Sequence, residues 1–387
     1  MIEMIEIGKC CEVINGSTPS RVKDEYWGGE IDWFTPKDLS KLTDKYVDEA
    51  PEKITQLGYN SCSTTMIPAN SLMFTSRAPI GHLAINKRPV CTNQGFKNLV
   101  PKENIYIVYL YYVIKKYTPN LQDLGNGATF KELSKASISA FKIPLPPLDQ
   151  QKKIAAILDE ADKVRQLNKQ LIKKYDALTQ SLFWDMFGDP VTNPMGWVKK
   201  PMENLMTIVR GGSPRPINDY LGGRNPWIKI GDATKGDDIY LHSTKEHIID
   251  EGLSKTRLLP EGSLIFANCG VSLGFARIIK FNGCIHDGWL AFSDFDENII
   301  DKVFLLKSLN SVTQYFRDTA PDGTQPNLNT SIMKKYEIIL PPIELQKDFV
   351  EYLNSIYAQK AQVQQNLEKA EELFNSLLQK AFKVELV

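Results

Sequence analysis

The sequence predicts an α+β protein built twice over: two pseudo-repeated domains with mixed sheets, joined by two long helices that pack on each other. Three observations carry that expectation. The chain of 387 residues repeats its own motifs at an interval near 195, about half its length. Each copy closes on a long stretch free of glycine and proline, which reads as one uninterrupted helix. Between these stretches, short β-like runs alternate with helical ones and with Gly, Pro and Asn clusters, the pattern of a mixed domain.

The repeat is legible motif by motif. Ile14-Asn15-Gly16-Ser17-Thr18-Pro19, Tyr26-Trp27-Gly28-Gly29 and Asp32-Trp33-Phe34-Thr35-Pro36-Lys37-Asp38 appear in order in the first half. Val209-Arg210-Gly211-Gly212-Ser213-Pro214, Tyr220-Leu221-Gly222-Gly223 and Pro226-Trp227-Ile228-Lys229-Ile230-Gly231-Asp232 follow the same order in the second. Cys91-Thr92-Asn93-Gln94-Gly95-Phe96 matches Cys284-Ile285-His286-Asp287-Gly288-Trp289. Ile143-Pro144-Leu145-Pro146-Pro147-Leu148-Asp149-Gln150-Gln151-Lys152 matches Ile338-Ile339-Leu340-Pro341-Pro342-Ile343-Glu344-Leu345-Gln346-Lys347. Each repeat is too long for a solenoid unit and reads as a domain followed by a helix. The expected boundaries are a first domain at 1–145, its helix at 146–188, a second domain at 189–340 and its helix at 341–387.

Within the domains, Ser71–Thr75, His82–Ile85, Ser263–Ala267 and Ala276–Lys280 read as strands, and Ile105–Lys116 and Ile299–Asp318 as helices. Trp33 and Trp227 stand at matched places and read as core. The long helices show an apolar step of four and three. The first seam runs Ile157, Ala161, Val164, Asn168, Leu171, Tyr175, Leu178 and Leu182. The second runs Phe349, Leu353, Ile356, Lys360, Val363, Leu367, Ala370, Phe374, Leu377 and Ala381. This is a heptad seam, and Asn168 within it either sets register or faces solvent at the edge. Helices of about 60 Å could lie each on its own domain, but they outrun a domain of that size, so packing on each other is the preferred reading.

Composition excludes several classes. Lysine plus arginine and aspartate plus glutamate both total 46, for a net charge of zero, which argues against a free-standing basic nucleic-acid binder or a polybasic membrane anchor. No apolar run approaches the ~18 residues of a membrane span, and the start MIEMIEIGKC lacks a signal-peptide pattern. A cytoplasmic protein is expected. Cys10, Cys11, Cys62, Cys91, Cys269 and Cys284 form no C-x-x-C, and the four histidines form no metal-binding pair, so the thiols read as reduced and structural, and no metal site is expected.

Catalytic motifs are missing too. There is no P-loop and no G-x-G-x-x-G opening a βαβ unit. No acidic residue is followed two positions later by lysine, as a common nuclease metal site requires. Asn193-Pro194-Met195-Gly196-Trp197 lacks the second proline and aromatic of the Asn-Pro-Pro-aromatic grip on a flipped base. The expectation is a chain with no catalytic residue and no catalysis of its own.

Gly16-Ser17-Thr18-Pro19-Ser20-Arg21, the Trp-x-x-x-x-Asp segments Trp33–Asp38 and Trp227–Asp232, and the Leu-Pro-Pro-Leu/Ile-x-x-Gln-Lys entries to the long helices resemble the specificity subunit of type I restriction-modification systems, over essentially the whole chain. The resemblance implies two target-recognition domains, each reading half of a split, asymmetric site on double-stranded DNA, and two long helices packed as an antiparallel coiled coil that fixes the spacing. It implies two methyltransferase subunits as partners, carrying S-adenosylmethionine and methylating adenine, and restriction subunits using ATP and Mg. No cofactor is expected on this chain itself. Two alternatives stand beside it: a coiled-coil interaction scaffold that binds no DNA, and the specificity subunit of a related system with a fused nuclease-methyltransferase partner. Balanced charge points to base reading rather than backbone attraction, with partners supplying phosphate contacts. Polar residues on the Gly/Pro-rich loops are the candidates for DNA contact. In the first domain these are Ser17, Thr18, Arg21, Lys37, Ser76, Arg77, Asn93, Gln94 and Lys131. In the second they are Arg210, Ser213, Arg215, Lys229, Asn268, His286, Gln325, Asn327 and Asn329.

Overall fold

The computed structural model describes residues 3–77, 79–125, 131–232, 234, 237–319 and 327–382. They form two compact units: 1–170 together with 363–387, and 171–362. Each unit therefore holds one domain and a length of both long helices.

In the first unit a five-stranded sheet orders its strands as Cys11–Asn15, Lys97–Pro101, Leu72–Phe74, Leu83–Asn86 and Tyr46–Val47. All neighbours are antiparallel except the last pair. A smaller sheet places Trp27–Phe34 between Lys53–Ile54 (antiparallel) and Cys91–Thr92 (parallel). Met4–Glu6 pairs with Lys142–Pro144. The second unit repeats the plan. Its five strands run Thr207–Arg210, Trp289–Ser293, Leu264–Ala267, Ala276–Ile279 and Tyr240–Leu241, with only the last pair parallel. Leu221–Ile228 lies between Glu246–Ile248 and Gly283–Ile285, and Val198–Pro201 pairs with Glu337–Leu340.

The sequence motifs acquire structural reasons. Trp33 and Trp227 are both buried. Five residues on, Asp38 accepts the Thr35 N–H at 2.7 Å and Asp232 accepts the Lys229 N–H at 3.0 Å, so each carboxylate ties off the turn that follows the tryptophan strand. Gln151 and Gln346 are fully buried. Gln151 Oε1 accepts the Tyr106 N–H at 2.8 Å, while Nε2 donates to the carbonyls of Asn104 (3.0 Å) and Pro146 (2.8 Å). Gln346 makes the same three bonds to Asp301 (2.9 Å), Ile299 (3.0 Å) and Pro341 (2.8 Å). Each glutamine latches the first turn of a long helix to its domain.

Two predicted helices differ from expectation. The helix Ile107–Asp123 continues past Pro119 to Asp123, where Leu121 is buried in the core. The stretch 299–318 is divided into Lys302–Ser311 and Thr313–Thr319. Asp301 caps the first by accepting from Val303 and Phe304. At the break, Asn310 accepts the Ala276 N–H at 2.7 Å and Thr313 donates to the Gly274 carbonyl at 3.2 Å, so side chains that bind a neighbouring loop interrupt the helix.

The long helices span Leu148–Phe187 and Ile343–Ala381. In the first unit Ile154, Ala155, Leu158 and Ala161 share one core with Tyr109, Tyr112, Phe374, Leu378 and Phe382. Lys169 pairs with Glu371 at 3.0 Å. In the second unit Phe183 and Phe187 meet Phe349 and Phe304, and Tyr175 donates to Gln359 at 3.0 Å. Within each unit, rising numbers on one helix face falling numbers on the other, so the pair is antiparallel. Each helix thus lies both on its domain and on the other helix.

On the second helix Phe349, Leu353, Ile356, Val363, Leu367, Phe374 and Leu377 all turn inward. On the first, Ala161 and Tyr175 turn inward as expected, but the alternate positions of the seam are displaced. Ile157, Val164, Leu171 and Leu178 are 38–50% exposed, and Leu158, Arg165, Ile172 and Thr179 take the inner positions one residue later. The cause is at the helix start, where the latched Gln151 and the fully buried Leu158 set the rotation. Leu182 is half-buried. Asn168 bonds the Val164 carbonyl of its own helix at 2.8 Å. All six cysteines are unpaired.

Candidate nucleic-acid interface

Four loops meet in each domain, joined by backbone hydrogen bonds that recur at matched places. In the first, Ser17 N donates to Thr92 O (2.9 Å), Ser76 N to Gly95 O (2.7 Å) and Leu133 N to Ser76 O (2.9 Å). In the second, Gly212 N donates to Ile285 O (3.0 Å), Asn268 N to Gly288 O (2.9 Å) and Leu328 N to Asn268 O (2.8 Å). The approach between the first two loops demands glycine. A Cβ on Gly16 would stand 2.1 Å from Asn93 O, and one on Gly211 2.3 Å from His286 O. These ladders gather Ser17, Thr18, Ser76, Arg77, Asn93, Gln94 and Lys131 in one domain, and Ser213, Arg215, Asn268, His286, Asn327 and Asn329 in the other. Lys37 is exposed on the short helix Pro36–Leu39, next to Gly95 through Pro36. Gln325 lies outside the described residues.

The side chains divide by what they already bind. Thr18 donates its hydroxyl to Gln94 Oε1, and Ser213 does the same to Asp287 Oδ1 at 2.8 Å. Arg77 pairs with Glu132 at 3.5 Å, and Lys229 with Glu246 at 2.7 Å. Arg210 Nε donates to the Asp287 carbonyl at 2.7 Å. Lys131, Arg210, Arg215 and Gln94 are exposed.

Several candidates support the loops instead of facing outward. Ser76 and Asn268 are fully buried. Asn93 Oδ1 accepts the Gly95 N–H at 2.8 Å, and His286 Nδ1 accepts the Gly288 N–H at 2.9 Å, the same turn closed by two side-chain types. Asn329 caps Thr330–Lys335 by accepting the Ile332 N–H at 3.0 Å. Arg21 is held by both oxygens of Glu52 and stacks 3.7 Å over the Trp27 ring. Burial keeps the His286 imidazole below its usual range, against the pull of Asp287.

Three residues absent from the sequence expectation belong to these clusters. Lys97 is buried, 3.4 Å from both Ser76 Oγ and Glu132 Oε1. Glu132 joins Lys97 and Arg77. Asp287 gathers Ser213, Arg215 and His286. The repeat alignment already set Asp287 opposite Gln94, which was the available signal. A carboxylate is simply not the first group sought opposite a polyanion. Among the described residues no group of three or more His, Cys, Asp or Glu could hold a metal ion, and no helix is long and apolar enough to cross a membrane.

Comparison with known proteins agrees with this duplicated plan. Residues 2–175 and 194–372 match the family described as type I restriction modification DNA specificity domain. The MjaIX type I restriction enzyme specificity subunit of Methanocaldococcus jannaschii is 30% identical over 95% of this chain and 90% of its own length. The EcoR124I/EcoR124II specificity subunit of Escherichia coli is 32% identical over 42% of this chain and 41% of its own. Among solved structures, a chain from a study of type I R-M complex assembly and conformational transition superposes with a TM-score of 0.68 at 19% identity, covering 99% of this chain and 98% of that one. The S subunit from M. genitalium gives 0.56 at 13% identity, covering 98% and 96%. At such identities the superpositions speak for the fold alone.

Proposed function

Since the chain belongs to the family of type I restriction-modification DNA specificity subunits, we propose that each four-loop cluster reads one half of a split, asymmetric DNA site, while the paired helices hold the halves at a fixed spacing. The observation that carries this reading is the repeated ladder. One scaffold presents two different sets of polar side chains, as two unlike half-sites require. Family membership also sets aside a scaffold that binds no DNA.

Exposed Lys37, Lys131, Arg210 and Arg215 suit guanine O6 and N7 or phosphate, and Gln94 suits adenine N6 and N7. Ser76, Asn93, Asn268, His286 and Asn329 act one step back, fixing the loops that carry those groups. With zero net charge the chain alone grips DNA weakly, so partner subunits supply much of the phosphate contact. Methyl transfer to adenine belongs to two methyltransferase subunits with S-adenosylmethionine, and cleavage to restriction subunits with ATP and Mg. This chain contributes address, not chemistry.

The test is methylome mapping in a host without other adenine methylation, with the full chain expressed beside its methyltransferase. Arg77→Ala with Gln94→Ala should relax one half of the recognised sequence and leave the other intact. Arg210→Ala with Lys229→Ala should do the reverse. Equal degeneracy in both halves, or unchanged sites in both variants, overturns the assignment.

A further inference from the structure

The centre of the second cluster has the wrong sign for attracting DNA. Asp287 Oδ1 takes the Ser213 hydroxyl at 2.8 Å. Because His286 Nδ1 accepts from Gly288, the ring proton sits on Nε2, which lies 3.0 Å from the same Oδ1. The Ser213 hydroxyl and the edge of the imidazole ring thereby cover one carboxylate oxygen. Among the described residues its partner, Oδ2, has only Arg215 at 3.4 Å, a side chain that is itself 78% exposed. Burial opposes charge on this carboxyl, but the Ser213 hydroxyl and the nearby His286, Arg210 and Arg215 hold it below the usual range. Ser213, Arg215 and His286 also line an open cavity of about 590 Å³, walled by Pro214, Pro216 and Trp227. An ionised, partly exposed carboxylate with spare acceptor capacity on Oδ2 therefore stands on the recognition loops, next in sequence to His286 of the cavity wall.

An ionised carboxylate only accepts hydrogen bonds. On the major-groove edges of the bases, the donors are cytosine N4 and adenine N6, whereas guanine O6 and N7 and thymine O4 are acceptors that a carboxylate repels. We propose that Asp287 is a specificity-determining residue of the second domain, whose free oxygen selects a base with an exocyclic amine, cytosine or adenine, at one position of the second half-site. The inference rests on the reading that these loops contact bases. Gln94, at the matched place, carries donor and acceptor together, so the first domain follows a different rule. Arg210, Arg215 and Lys229 around the carboxylate offset its repulsion from phosphates.

The experiment uses the full chain co-purified with its methyltransferase, and synthetic duplexes carrying each of the four bases at every position of the second half-site. Methylation rates are compared as ratios between bases within one preparation, which do not depend on the fraction of folded protein. The parent should prefer cytosine or adenine over guanine and thymine by about tenfold or more at one position. Asp287→Asn keeps an acceptor for Ser213 and puts an amide donor at the free corner, so the preference there should move to guanine or thymine, with other positions unchanged. Asp287→Gln, the residue the first domain uses, should also lose the preference for an amine. Unchanged ratios at every position in both variants overturn the proposal. If Arg210→Ala with Lys229→Ala still relaxes the second half-site, only the role of Asp287 falls. If that variant is also silent, the base-reading role of the loops falls with it.

Discussion

Gln151→Met tests whether the latch at the head of the first long helix holds that helix to its domain. Methionine keeps the length of the side chain and removes all three hydrogen bonds. The substitution leaves the Tyr106 N–H and the carbonyls of Asn104 and Pro146 without this partner in a site where Gln151 is fully buried. At about 1–1.3 kcal/mol for each group left without its bond, the loss is about 3–4 kcal/mol. For a unit of this size each kcal/mol moves the midpoint by about 2–4 °C, so the transition of the first unit should fall by about 6–16 °C. Differential scanning calorimetry of the full chain reads this directly. Gln170→Met, on an exposed stretch of the same helix, should stay within about 0.5 kcal/mol of the parent. Gln346→Met should lower the transition of the second unit by the same amount as Gln151→Met lowers the first. A Gln151→Met midpoint within about 2 °C of the parent would refute the reasoning, because three buried bonds would then contribute nothing net.

The displaced seam predicts opposite outcomes for neighbouring heptads: Leu158→Ala should cost about 2–5 kcal/mol, and Val164→Ala less than about 0.5 kcal/mol, by urea titration. Gly16→Ala drives a Cβ to within 2.4 Å of three oxygens of Thr92 and Asn93, so methylome mapping should show the first half-site lost and the second retained. The Asp238 carboxyl is opposed by burial, yet the Lys307 ion pair and the hydrogen bonds from Lys307 and Tyr357 hold it below its usual range. Its contribution is complete above the unfolded value near ~3.9 and is lost as pH falls through the folded one. Stability of the second unit should therefore drop more steeply below pH ~4 in the parent than in Asp238→Asn, as measured by urea titrations at stepped pH.

Much of the architecture was legible because it is written twice. A motif that recurs at a fixed interval must serve both copies, and the Trp-x-x-x-x-Asp and Pro-Pro-x-x-x-Gln patterns proved to be a tied-off turn and a helix latch. The sequence showed that Gln151 and Gln346 match but not what they hold, since two of the three partners of each lie 45 to 47 residues upstream. Periodicity located the helices and misplaced one face. The alternation of four and three fits Ile157 as well as Leu158, and only the latch and the domain core decide between them. At the interface, residue type marked the loops but could not separate a side chain that faces outward from one that holds its own turn. Asn93 and His286 look like readers of bases, and both are spent on the backbone of the residue two positions later.

The divergence between the copies is most informative where each domain docks on its own long helix. In the first unit Asp159 of the long helix takes Lys45 at 2.6 Å and the Tyr112 hydroxyl at 2.6 Å. In the second the long helix supplies Tyr357, which donates to Asp238 at 2.6 Å and accepts from Lys307 at 2.7 Å, while Lys307 and Asp238 form an ion pair. Both clamps contain one lysine, one aspartate and one tyrosine, spread over the long helix, the domain helix and the loop before the last strand of the five-stranded sheet. The three groups are permuted among those elements. What the junction demands is therefore a neutralised, hydrogen-bonded trio, not a given residue at a given place, because a charge left alone at a half-buried junction costs more than the trio gains over water. Permutation also makes each clamp private. The first domain presents lysine and tyrosine and needs an acid from its helix, whereas the second presents acid and lysine and needs only a hydroxyl. The register that matches Gln151 to Gln346 sets Asn354 at the place of Asp159, so a first domain set on the second helix would meet an amide where Lys45 needs a carboxylate. The two copies thus build one three-element clamp, each completed by a different group from its own helix.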